Sequence, residues 1–215
     1  MLPEIINTEK EIIGTYKNFL IVLENEEWCD FETKKPFQQI LVEDNINFPL
    51  KLWCPLYYFG ETSDGILVNS QSQFYLSETS GITSVFRPYS VISRFCLDGN
   101  LLLFRCEKKH KIVAYDVKEK RKLWVQKFGE LVISLSSTKN NIIVVTTKKI
   151  YFLTREGDIE IFSSCHLSMA RVHDCFLFAL SDRRCILDLE GNLLSEDNKL
   201  MFSRKSYLLG DKVYQ

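Results

Sequence analysis

The chain has 215 residues, of which 46% are hydrophobic, 13% aromatic and 26% charged, a composition that excludes extended disorder and supplies enough apolar surface for a core. Its formal net charge is −1, and its longest apolar runs, such as Phe19 to Leu23, fall far below the roughly 18 residues that a membrane-spanning helix needs. One domain of residues 1–215 is therefore the expectation, with no signal peptide and no contact with a membrane.

In chain order, the segment from Thr8 to Tyr16 is the one stretch that suggests a helix. Elsewhere a degenerate strand-turn-strand unit recurs. The first copy is Trp28-Cys29-Asp30-Phe31-Glu32-Thr33-Lys34-Lys35-Pro36-Phe37, and the second, the loosest, is Phe74 to Ile82. The third runs from Ala114 to Trp124. The fourth, Phe152 to Ile159, and the fifth, Leu187 to Leu193, turn on Gly157 and Gly191, where glycine supplies the positive φ of a tight hairpin. With Asp30, Glu78, Asp116, Thr154 and Asp188 as anchors, the spacings are 48, 38, 38 and 34 residues, close to the roughly 40–50 of propeller blades.

Upstream of each anchor lies a nearly continuous apolar run: Phe19 to Leu23, Ile66 to Val68, Leu101 to Phe104, Ile142 to Val145 and Cys175 to Leu180, with a sixth at Tyr207 to Leu209. Continuity of this kind suits inner strands buried on both faces. Six such runs against five hairpins predict a sixth blade in which Lys212 to Gln215 is the third strand and Pro3 to Asn7 adds the outer one. A five-bladed ring, or a seven-bladed one completed by residues outside the sequence, competes with this reading.

The segment Ile112 to Trp124, with its Ala-Tyr-Asp strand, charged turn and Leu-Trp strand, resembles the repeat of the quinoprotein-like propellers. The other repeats resemble that pattern, or a degenerate WD-repeat, in outline. The resemblance implies an all-β propeller of about six short blades. The quinone enzymes of that family hold their cofactor over an aromatic floor beside calcium, but this chain lacks adjacent cysteines and offers only Trp28, Trp53 and Trp124. No cofactor is expected.

Seven cysteines, at 29, 54, 96, 106, 165, 175 and 185, show no Cys-x-x-Cys spacing and read as reduced thiols of a cytoplasmic or nuclear protein. Cys165, His166, His173, Cys175 and Cys185 are zinc-compatible in type but not in spacing, so no metal site is expected. No nucleophile elbow, phosphate loop or His-Glu-x-x-His motif occurs, and no catalytic residue or small-molecule substrate is assigned.

The near-zero charge conceals a strong imbalance. Residues 1–100 carry 7 Lys and Arg against 14 Asp and Glu, whereas residues 101–149 carry 12 against 4. The cations cluster at Lys108, Lys109 and Lys111, at Lys118, Lys120, Arg121 and Lys122, and at Lys148 and Lys149. These are expected to form a basic sector that meets an acidic protein in a complex or, alternatively, RNA or a ribonucleoprotein. The segment Val42 to Gly60 reads as a long aromatic loop, with Trp53, Tyr57 and Tyr58 as candidate contacts unless it packs over one end of the ring. The chain thus reads as a non-enzymatic adaptor or assembly subunit.

Overall fold

The computed structural model describes residues 2–46, 56–70, 73–78, 81–86, 92–106, 110–138, 140–202 and 206–215. Two compact units make up the chain, Met1–Tyr89 with Arg204–Gln215, and Ser90–Ser203. The fold is all-β, and among the described residues the strands form six sheets, the blades of a β-propeller.

In the first unit, β1 (Glu4–Ile6) is followed by a three-stranded sheet of β2 (Glu11–Tyr16), β3 (Phe19–Glu24) and β4 (Glu27–Asp30). The segment from Thr8 that suggested a helix is thus largely strand. The reason is a bulge between Ile12 and Gly14, which lets the adjacent Ile12 and Ile13 both be buried and so disguises the period of two.

The first repeat also departs from expectation, because no second strand follows its turn. Pro36 makes one isolated bridge with Cys29, and the chain then enters the helix α1 (Phe37–Glu43). Proline has no N–H with which to continue a ladder, and its fixed φ suits a helix start. Phe37, Ile40 and Leu41 lie at helical spacing and are buried with Ile13, Tyr16, Ile21 and Ile66. Tyr16 Oη donates to Asp44 Oδ2 at 2.7 Å, which anchors the helix end to β2.

The second blade is β5 (Leu56–Glu61), β6 (Ile66–Ser70), β7 (Gln73–Glu78) and β8 (Gly81–Phe86). The expected loop from Val42 to Gly60 is therefore corrected at both ends, since Val42 belongs to α1 and Leu56 to Gly60 belong to β5.

The second unit holds three four-stranded blades in sequential order. They are β9 (Ile92–Asp98), β10 (Leu101–Cys106), β11 (Lys111–Asp116) and β12 (Arg121–Lys127); β13 (Val132–Ser137), β14 (Ile142–Thr146), β15 (Lys149–Leu153) and β16 (Ile159–Ser164); and β17 (Met169–His173), β18 (Phe176–Leu180), β19 (Arg184–Asp188) and β20 (Leu193–Glu196). The repeat is visible in the register: a bulge interrupts the ladder between third and fourth strands at Ala114/Tyr115, Phe152/Leu153 and Ile186/Leu187. Each lies at the same offset from the anchors Asp116, Thr154 and Asp188. The inner runs are buried most completely in β14, whose five residues are all inaccessible, whereas Cys175, which opens the run to Leu180, is exposed in the turn before β18.

The first unit ends with β21 (Tyr207–Leu209) and β22 (Lys212–Tyr214), and β1 completes their sheet in the order β1-β22-β21. The termini close this blade as anticipated, with β1 running parallel to β22. Glu4 N donates to Asp211 O, Gln215 N to Ile6 O and Thr8 N to Gln215 O, at 2.9–3.0 Å. Deleting residues 1–7 should cost about 2 kcal/mol, because a ladder bond contributes on the order of 1 kcal/mol net. It should also promote concentration-dependent association through the bared β22 edge. Urea unfolding and light scattering would check both, and an unchanged midpoint would argue against a structural role for β1.

Candidate functional site

The β11–β12 hairpin carries the densest group of cations. Its turn is fixed locally: Asp116 Oδ1 accepts from Glu119 N at 3.0 Å, and Lys120 adopts φ +51°. Val117 is fully buried and its N–H donates to Asn100 O at 2.9 Å, seating the turn against the β9–β10 connection. Lys118, Lys120, Arg121 and Lys122 are left exposed on this anchored base.

The same end of the unit is braced by side chains. Trp124 Nε1 donates to Arg155 O at 2.7 Å, while Arg155 Nη2 donates to Asp98 Oδ2 at 2.5 Å and Thr138 O at 2.8 Å. Ser137 Oγ donates to the same Asp98 oxygen at 2.7 Å. Burial alone would raise the Asp98 pKa, but the Ser137 and Arg155 bonds outweigh it and hold the carboxyl below its ordinary range. This network joins β9, β12, β13 and the β15–β16 turn, so the cationic turn stands on a stiff support.

The remaining cations lie elsewhere. Lys111 begins β11 and is half-buried, while Lys148 lies in the β14–β15 turn and Lys149 opens β15, where Thr146 Oγ1 accepts from both backbone N–H groups at 3.3 and 2.9 Å. The segment between β12 and β13 connects these two places: Phe128 N donates to His110 O at 2.8 Å, and Thr147 N donates to Leu131 O at 3.0 Å. The topology therefore divides the basic set. Lys118, Lys120, Arg121 and Lys122 stand at one end of β11, and Lys111, Lys148 and Lys149 at the other, separated by a strand of about 20 Å. Lys108 and Lys109 lie outside the described residues, as does Trp53. Tyr57 and Tyr58 fall within β5, so their backbone is strand.

One cation was missed by sequence reading. Lys127 is exposed at the end of β12, directly across the ladder from Lys111. It stands apart from the lysine clusters in the sequence, and only the register of the hairpin brings it to them.

Of the aromatic residues near the cations, Trp124 is partly buried, and Tyr115 and Phe128 are buried. Tyr115 and Phe128 are each 8% exposed, and Phe128 packs on Tyr151 with ring centroids 5.0 Å apart. Two thiols are held protonated by burial, which pushes Cys96 up to about 12 and Cys165 up to about 11. Cys165 and His166 precede β17, whereas Cys175 follows it, so a five-residue strand separates these zinc-type ligands. Among the described residues, no three His, Cys, Asp or Glu side chains converge as a metal site. None of the described helical residues forms a helix long and apolar enough to cross a membrane.

No known family model matches the sequence, and no curated protein sequence matches it. Among solved structures, the WD40 domain of Pan2 from Neurospora crassa superposes with a TM-score of 0.55 at 14% identity, over 86% of this chain and 64% of that one. The computationally designed Ika8 protein gives a TM-score of 0.53 at 9% identity, over 96% of this chain and 67% of that one. BamB from Moraxella catarrhalis gives 0.49 at 15% identity, over 65% and 47%. The chain spans about half to two thirds of the length of these structures. At such identities the likeness is one of fold, and the chain is a β-propeller repeat protein.

Proposed function

We propose that this chain is a non-enzymatic interaction module, an adaptor or assembly subunit that engages other proteins through the cations of its third and fourth blades. The observation that carries the reading is the exposure of Lys118 and Lys120 on one braced turn and of Arg121 and Lys122 at the start of β12, in a chain whose net charge is only −1. A fixed, locally concentrated charge attracts an oppositely charged surface and orients it during encounter. Trp53, Tyr57 and Tyr58 remain proposed as secondary contacts.

An acidic protein is favoured over RNA as the partner because single-stranded RNA is gripped by aromatic rings stacked on its bases, and Tyr115 and Phe128 are buried. Co-purification from the protein's own cells tests the proposal. A stoichiometric protein partner should accompany the wild type and be lost from the K118Q/K120Q/R121Q/K122Q variant. Retention of every partner by that variant would refute the basic-sector reading. Binding of polyuridylate at low and moderate salt tests the RNA reading, and tight binding whose affinity falls steeply with salt would favour it instead.

A further inference from the structure

We infer that the outer edge of β12 is a docking strand for an extended, acidic segment of a partner protein, which adds to the sheet antiparallel or parallel to β12. The inference rests on the proposed interaction role and specifies its partner chemistry and binding mode.

β12 is the terminal strand of its sheet, bonded only to β11 on its inner side. A terminal strand presents a row of backbone N–H and C=O groups to any chain that can lie beside it. Seven residues give roughly 23 Å of edge. Val125, and Leu123 at the bulge that the ladder skips between Lys122 and Trp124, are 38% and 42% exposed and offer apolar contact to an added strand.

Charge selects the occupant. β12 carries Arg121, Lys122 and Lys127 and no acid, whereas the corresponding strands β16 and β20 of the same unit carry Glu160 and Glu196 and no cation. Lys127 also faces Lys111 directly across the ladder, a like-charge pairing that disfavours the hairpin until an anion neutralises it. Among the described residues none of Lys111, Arg121, Lys122 or Lys127 makes an ion pair. A second copy of this chain is a poor occupant, because antiparallel pairing of two β12 edges would set Arg121 and Lys122 near the other copy's Lys127. Because Val125 and Lys127 share one face of the ladder, opposite Val113 and Lys111, an extended segment that carries Asp or Glu together with Val, Ile or Leu on that face satisfies the edge, the apolar contacts and the charges together.

The test uses the full chain and a fluorescent seven-residue peptide with glutamate first and last, valine third and fifth and threonine between, so that acid and apolar side chains share one face, its glutamate-to-lysine counterpart, and a version N-methylated at alternate amides. Anisotropy should show saturable binding of the acidic peptide, at least tenfold weaker for the R121Q/K122Q/K127Q variant and for the N-methylated peptide, and none of the lysine peptide. Hydrogen exchange should slow at β12 amides on binding and stay unchanged at β16 and β20. The inference is overturned by absence of binding, by equal binding of the N-methylated peptide, or by protection confined to other strands. Polyuridylate that competes by protecting β12 would also overturn it in favour of a nucleic acid. Loss of a cellular partner from the turn variant alongside failure of the peptide would leave the interaction role standing and remove only the strand-addition mode.

Discussion

Replacing Gly157 by alanine is expected to lower the unfolding free energy by about 3 kcal/mol, from two separate costs. Gly157 sits at φ +96° in the β15–β16 turn, where a side chain is strained whatever space surrounds it. The turn cannot readily relax, because Thr154 N donates to Asp158 O at 2.8 Å and Gly157 N donates to Thr154 O at 3.1 Å. A Cβ added at 157 would also stand 2.7 Å from Trp124 Cδ2. That indole is held in place by its bond to Arg155 O. Gly191, the matching position one blade on, isolates the first cost: its φ is +92° but an added Cβ would meet nothing closer than 4.0 Å. Gly191→Ala should therefore cost about 1–2 kcal/mol, the strain alone. Urea unfolding of both variants, and of Gly157→Ala combined with Trp124→Ala, would separate the costs. Equal losses at 157 and 191 would show that the indole contact contributes nothing.

The same pair of glycines marks where the sequence was most legible. Hairpins are local objects, so the turns at 154–158 and 188–192 and the charged turn at 117–120 could be read from a few residues each. The inner strands were equally plain because burial on both faces leaves an uninterrupted apolar run, as in Ile142 to Val145. What could not be read depended on distant contacts. Phe37-Gln38-Gln39-Ile40-Leu41 fits a short strand or a helix, and packing of Phe37, Ile40 and Leu41 on Tyr16, Ile21 and Ile66 decides for the helix. The parallel direction of β1 leaves no mark in its own residues. Cation density identified the basic blades, but assigning each lysine to one end of a strand required the ladder, which divided the set and added Lys127.

Stability should fall by about 3 kcal/mol between neutral pH and pH 4 because of one residue, His173. Its ring is 7% exposed at the end of β17 and meets Phe178 edge-on, with centroids 5.0 Å apart. Burial first, and the nearby Arg171 guanidinium second, depress its pKa from 6.5 to about 4. The unfolded chain therefore binds a proton through this interval while the folded chain does not, so acid favours unfolding. The stability associated with the neutral ring is fully present above pH 6.5, declines as pH falls, and is exhausted near pH 4. His173→Gln, which cannot titrate, should be less stable than the wild type at pH 7 yet lose less on acidification. The gap between the two should shift towards the variant by about 3 kcal/mol across that window. Proton NMR supplies an independent check, since the His173 ring signals should hold their neutral positions until pH approaches 4. Parallel stability profiles for wild type and variant from pH 7 to 4 would show that His173 is protonated in the fold without penalty and that its burial carries no acid sensitivity.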